Sequence, residues 1–322
     1  MCPFLFAAVV DTVVAPYYED AYLHEWGVVM YSESTISVTG RPDESLLAPL
    51  PVGPITVDAP VIYLYGGEFD FSLTVTVPGG TITEAWPLPD GSLDTDLPFS
   101  DQRDRDVSSI TWSGLTTCCP YTSDTSPSPG DEACAEPSIV GFYGDIWRDV
   151  ESLVLTRPSD GFRDQFLFYE CRLEAGALPP PLARPGDVLT DVSTYDGAVL
   201  VFSRMANSPD VGIYVADSRD AWVIPPSSSR IRVLTPDQAF DVFSGWARGD
   251  TLSGNGLKEP EIEAMWKTWA PFFTGGDWHG TNLMVFPMPQ RAIDRISTVV
   301  LDTMEGYPVT YNRFFLGVVT NR

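Results

Sequence analysis

Two histidines are all that this 322-residue chain contains. The first, His24, stands in the stretch YLHEWGVVMYSE directly before Glu25 and Trp26. An imidazole beside a carboxylate suits three roles: metal ligation, half of an acid–base pair, or a buried structural pair. His279, in TGGDWHGTN, keeps similar company in Asp277 and Trp278. Brought together, His24, His279, Asp277 and Glu25 would offer two imidazoles and a carboxylate to a divalent cation. The competing reading has His24 buried and bonded to a carbonyl or carboxylate, with His279 exposed on a glycine-rich loop. Glu25 and Glu84 each precede a tryptophan, in HEWG and TEAWP. Paired carboxylates with an aromatic ring beside them are the equipment of a glycoside hydrolase, although tryptophans that pack and glutamates that accept backbone hydrogen bonds explain the same pattern. No nucleophile elbow, phosphate loop, zinc helix or dinucleotide fingerprint is present in the sequence. A His₃ metal site cannot be built from two histidines, and a serine triad would have to use one of these two as its base.

The totals narrow the partners. With 44 acidic against 19 basic residues the net charge is −25, which repels phosphate backbones and anionic lipid, so nucleic acid is excluded as an expected partner. Only two lysines occur, Lys258 and Lys267. No cofactor is expected. A divalent cation, calcium or zinc, is the one group the residues could take, with His24, His279 and Asp277 as metal candidates and the carboxylates of PLPDGSLDTDLPFSDQRDRD as a weak calcium surface. Five cysteines are present, and Cys118-Cys119 and Cys134 bracket PYTSDTSPSPGDEA, a run of turn formers. A disulfide from Cys118 or Cys119 to Cys134 would staple that loop; Cys119 to Cys134 is the pairing expected, in an oxidising compartment. Zinc competes, but adjacent cysteines lack the usual spacing of its ligands. The N-terminal apolar run, in CPFLFAAVV, is too short to span a bilayer and lacks a basic region before it. It reads as a signal remnant or as a first strand, one able to exchange between protomers by strand addition.

The elements that must position these residues read mostly as β. APVIYLY is a short continuous apolar run, and FDFSLTVTV alternates with period two, placing Phe69, Phe71, Leu73, Val75 and Val77 on one face. Pro78-Gly79-Gly80 supplies a turn, with TITEAW expected as the return strand. Further strands are expected at 34–38, 109–112, 153–156 and 166–171. A stiff linker is expected over 176–186, where three prolines stand in a row. Beyond it GAVLVFSRM and VGIYVAD form a hairpin that AWVIP and RIRVL extend, and LMVFPMP and RFFLGVV close the sheet. Two helices carry clear signals. In TPDQAFDVFSGWA, Thr235 is the N-cap, Pro236 the first helical residue and Gln238 completes a capping box. In LKEPEIEAMWKTWAPFF, Ile262, Met265, Trp266, Trp269, Phe272 and Phe273 form one stripe, and Glu259, Glu261 and Glu263 sit in the first turn, where the helix dipole favours them.

LHEWGVV, then DAPVIYLYG, TVTVPGGTITEAWP, FLFYEC, IEAMWKTWAPFF and a closing FFLGVV, in this order, resemble a group of predicted exported bacterial proteins. Their hallmark is a His-Glu-Trp-Gly segment near the mature N-terminus followed by a Pro-Val-Ile-Tyr strand. The matching blocks run from Leu23 to Val319; Val28 stands where the group usually has Thr. The resemblance implies an extracytoplasmic location (periplasm, cell surface or secreted) and this order of elements, and it implies no mechanism.

The expectation is therefore a mainly β, α+β protein: two β-sandwich-like units, 1–178 with the Cys-stapled loop and 187–322 with two amphipathic helices packed on it. The expected role is non-catalytic, an exported envelope or surface protein that binds a protein or glycan through aromatic and acidic loops. The alternatives are a metal-dependent or carboxylate-based hydrolase using His24 and Glu25, and an assembly subunit, oligomeric through its N-terminal strand.

Overall fold

The computed structural model describes residues 20–31, 55–91, 107–120, 138–174, 178–204, 210–222, 232–249, 256–276, 278 and 280–321. They form a mainly β, α+β fold of two sheets and five helices. The larger sheet has nine strands. In spatial order they are β11 (Arg232–Leu234), β10 (Val211–Asp217), β9 (Ala198–Arg204), β12 (Asn282–Pro287), β14 (Val309–Asn321), β1 (Ala21–Tyr31), β2 (Ile55–Tyr65), β8 (Leu167–Leu173) and β4 (Gly80–Trp86). The smaller runs β13 (Thr298–Thr303), β3 (Asp70–Thr76), β5 (Ser109–Pro120), β6 (Leu153–Arg157) and β7 (Phe162–Asp164). The helices are α1 (Ser138–Arg148), α2 (Ser218–Ala221), α3 (Pro236–Ala247), α4 (Glu259–Gly275) and α5 (Gln290–Ile296).

β1 lies near the middle of the large sheet, antiparallel to β2 and parallel to β14. Residues 23–29 are buried without interruption, which requires cover on both faces of the strand. On one face lie helices: Trp147 of α1 meets Trp26, Phe243 of α3 meets Phe314, and Phe273 of α4 meets Phe202. On the other lie α5 and the small sheet, whose Leu301 N–H donates to the Tyr311 hydroxyl at 2.9 Å. The alternating strand read in FDFSLTVTV is β3, with Phe71, Leu73 and Val75 buried.

Several expectations change. TITEAW does not return beside β3: the Pro78-Gly79 turn forms, with Gly80 N–H bonded to the Val77 carbonyl at 3.2 Å, but the chain crosses to the large sheet, where β4 pairs with β8. Gly80 permits this because a Cβ there would meet the Arg172 carbonyl oxygen at 2.7 Å and the Leu173 side chain at 2.6 Å. The strands gather into two sheets, a nine-stranded one faced by a five-stranded one. The large sheet takes strands from both sides of 176–186, so the expected linker does not coincide with a division between sheets. The start of AWVIP is the end of the short helix α2 rather than a strand. α1 was not expected, yet Val140, Tyr143 and Trp147 recur at helical spacing and pack inward. The two expected helices are α3 and α4, and the Thr235–Gln238 capping box of α3 is made. The expected strand at 34–38 and the N-terminal apolar run lie outside the described residues.

Two glycines should respond oppositely to alanine. A Cβ on Gly317 would intrude on the ring of Phe286, which is itself stacked on Tyr195. Gly317→Ala should lower stability by about 1–3 kcal/mol. Gly245, in α3, has open space around it, and Gly245→Ala should raise stability by about 0.5–1 kcal/mol. Urea unfolding midpoints with unchanged m-values would register both shifts.

Candidate functional site

His24 and Glu25 are neighbours in β1, so the pleat sends them to opposite faces of the sheet. Each stands in register with a polar residue of β14, His24 with Asn312 and Glu25 with Arg313. The two polar dipeptides thus lie side by side in the middle of an apolar sheet, and both pairs are buried.

On the helical face His24 bonds at both ring nitrogens. Its Nδ1 lies 2.8 Å from Glu261 Oε2 and its Nε2 lies 2.8 Å from Asn312 Nδ2. An ionised carboxylate only accepts and an amide nitrogen only donates, so the proton sits on Nδ1 and the Asn312 amide donates to Nε2. Glu261 is fully buried and also accepts the Lys258 backbone N–H at 2.6 Å. One carboxylate therefore caps the first turn of α4 and fastens that helix to β1. Tyr65 packs edge-on against the His24 ring, with centroids 4.8 Å apart, and carries the Lys258 ammonium 3.3 Å above its own ring. Burial pushes the Tyr65 hydroxyl far above its usual range, and the charge of Glu261 adds to the effect.

On the opposite face Glu25 Oε1 accepts from the Tyr169 hydroxyl at 2.8 Å, while Oε2 is bonded to Arg313 Nε. Arg313 also donates to the Ser297 carbonyl at 2.9 Å and to Ser297 Oγ at 2.7 Å. Tyr169 reaches the same Ser297 hydroxyl at 3.0 Å. Burial works against the Arg313 charge, yet Glu25 and Tyr169 hold its pKa above the ordinary value. Tyr169 is raised well above its usual range, first by burial and then by the charge of Glu25. This closed network joins β1, β8 and β14 to the segment that leads into β13.

The remaining candidates do not join these two. Glu84 is in β4, three strands from β1, paired in register with Glu170. Register carried through β2 and β8 puts it on the face opposite Glu25. At a strand spacing of about 4.8 Å this separation exceeds the roughly 5–9.5 Å of glycosidase carboxylates. Asp277 and His279 lie outside the described residues, as do Cys134 and the side chain of Cys119. Among the described residues no group of three or more His, Cys, Asp or Glu side chains is placed to hold a metal, and both nitrogens of His24 are already engaged. No helix among them is long and apolar enough to cross a membrane.

Sequence reading missed the partners. Glu261 has the sequence signature of a first-turn charge, although it directly precedes Ile262 of the apolar stripe. Asn312 and Arg313 were overlooked, although YNRFFLGVV repeats the form of YLHEWGVV, a polar dipeptide followed by an apolar strand. A cleft of about 120 Å³ opens elsewhere, between Tyr31, Leu178, Pro180, Asp191, Thr194 and Arg295. It is well below the roughly 300–1,000 Å³ of sites that enclose a small molecule. Comparison of the chain with protein-family models, curated proteins and solved structures yields no match.

Removing one member of the Glu25–Arg313 pair leaves a buried charge without its partner. Glu25→Gln should cost about 3–5 kcal/mol, and adding Arg313→Met should recover much of it, as chemical denaturation of both variants would measure. Tyr31, Tyr63, Tyr65 and Tyr169 all have pKa values raised in the fold, with burial as the first cause. Below about pH 10 both folded and unfolded tyrosines keep their protons and stability is complete. Above it only the unfolded chain releases them, so stability should fall by about 1.4 kcal/mol per pH unit for each such tyrosine. Urea midpoints taken across this range should show the decline, and Tyr31→Phe, whose hydroxyl is raised by burial alone, should make it shallower.

Proposed function

We propose that this chain is an exported, non-catalytic protein of the cell envelope or surface that binds a protein or glycan partner. The observation that carries the reading is the state of the His-Glu pair. General acid–base or nucleophilic work needs a ring nitrogen or carboxylate oxygen that can reach a substrate. Here both nitrogens of His24 and both oxygens of Glu25 are bonded to buried protein groups. The pair is a structural lock, and hydrolysis at HEWG is not proposed. The resemblance noted in the sequence supports export, and the net charge of −25 supports a partner that carries neither phosphate nor acidic lipid.

Two measurements on one preparation test this. Producing cells treated with an added protease, intact or with the outer membrane permeabilised, should lose the chain in at least one of the two conditions while cytoplasmic markers survive. The immobilised chain should retain a protein or glycan from a detergent extract of the envelope. Protection that persists once the outer membrane has been permeabilised would remove the export reading. Turnover of a glycoside or ester by the purified chain, abolished in a folded Glu25→Gln variant, would replace binding with catalysis.

A further inference from the structure

The cleft beside Tyr31 lies where four stretches meet: the last residue of β1, the proline run at 179–181, the 191–194 loop and α5. Tyr31 lines it and is only 3% exposed, so its hydroxyl is reached through this opening. No described residue hydrogen-bonds that hydroxyl, and burial alone raises its pKa. A buried phenol that keeps its proton and has no protein partner is a donor held ready at the floor of the cleft. The walls are apolar: Pro180, Pro181 and Ala292 are buried and carry no polar side-chain atom. At the mouth stand Asp191 and Arg295, paired at 3.3 Å and each about half exposed. Ser193 N–H donates to Asp191 Oδ1 at 2.9 Å, and hydrogen bonds from Ser193 hold the Asp191 carboxyl below its usual range. An ionised carboxylate has about four acceptor positions, so Asp191 has room for a further N–H donor.

Size, polarity and charge select the occupant. The volume is about 120 Å³, whereas a cavity of about 150 Å³ takes a benzene. A substituent of roughly four or five non-hydrogen atoms therefore enters, and the sugar ring or peptide that bears it stays outside. The substituent has to accept a hydrogen bond at its inner end, lay a methyl-sized surface on proline and alanine, and present a donor near the mouth. The Arg295–Asp191 pair makes that mouth neutral, so it favours no charged group. An acetamido group meets each requirement: its carbonyl accepts from the Tyr31 hydroxyl, its methyl lies on the apolar wall and its N–H faces Asp191. On a sugar the group is flanked by hydroxyls, and the N–H donors of Arg295 are there to meet them outside the cleft.

We propose that this cleft takes the acetamido group of an N-acetylhexosamine, so that the partner of this chain is a glycan of N-acetylated amino sugars. This rests on the reading of the chain as a binding protein and chooses glycan over protein. The test is saturation-transfer NMR on the full chain with triacetylchitotriose and cellotriose, which share one backbone and differ in carrying acetamido or hydroxyl groups. Saturable binding of triacetylchitotriose is expected, with transfer strongest at its acetyl methyls, and none of cellotriose. Tyr31→Phe removes a hydroxyl that no described residue uses; it should keep the fold and weaken binding about five- to tenfold. Ala292→Leu, which fills the cleft, should abolish binding. Equal binding of cellotriose would overturn the proposal, as would an affinity unchanged by Tyr31→Phe. Tighter binding of N-acetylalanine methylamide than of the trimer would give the cleft to an acetylated peptide and overturn it too. If neither trimer binds while the immobilised chain still retains an envelope component, the binding reading stands and this site alone falls; if nothing is retained, both fall.

Discussion

The parallel register of β1 and β14 is the constraint on which the rest depends. It sets His24 beside Asn312 and Glu25 beside Arg313, and because the pleat alternates, one pairing fixes polar partners on both faces at once. A slip of one residue would turn His24 toward the small sheet and Glu25 toward the helices, where neither finds Glu261 or Tyr169. The buried polar pairs thus act as a registry device in a sheet whose apolar residues alone would accept more than one alignment.

From that register the layers follow. Glu261 holds α4 to β1 while capping the helix, and α4 carries the aromatic stripe that packs on β9 and on α3. Ser297 receives Arg313 and Tyr169 just before β13 begins, so the same pairing anchors the small sheet. Trp147, bonded to Thr268 of α4 and accepting Tyr63 through its carbonyl, adds α1 to the helical layer. α1, α4 and the segment leading into β13 each reach the large sheet through a polar bond that specifies position, while apolar surface, including Phe243 of α3 against Phe314, supplies most of the stabilisation.

Much of this was legible from local pattern. The period of FDFSLTVTV, the capping box at Thr235 and the stripe from Ile262 to Phe273 each depend on neighbours in sequence, and each is found as read. Destinations were not legible. Pro78-Gly79 announces a turn, but whether β4 returns to β3 or crosses to β8 is decided by Gly80 meeting the backbone of Arg172, a residue far along the chain. The prolines at 179–181 resemble a boundary, while strands from both sides share one sheet. A structural role for His24 and Glu25 is legible in the sequence, whereas their partners Glu261, Asn312 and Arg313 are not. Side-chain partners 237 and 288 residues away leave no periodic trace near the histidine.

The β1–β14 pairing also bears on how the chain is made. Its partners lie 288 residues apart, and the two strands sit side by side in the interior of the large sheet. Such non-local contacts are slow to form, because a long loop must close before they contribute. During synthesis at about 5–20 residues per second, β1 waits roughly 15–60 seconds for its neighbour, with one edge unpaired and His24 and Glu25 lacking half their partners. A chain whose interior sheet is completed by β14 keeps that sheet open, with β1 exposed along one edge, until β14 has emerged.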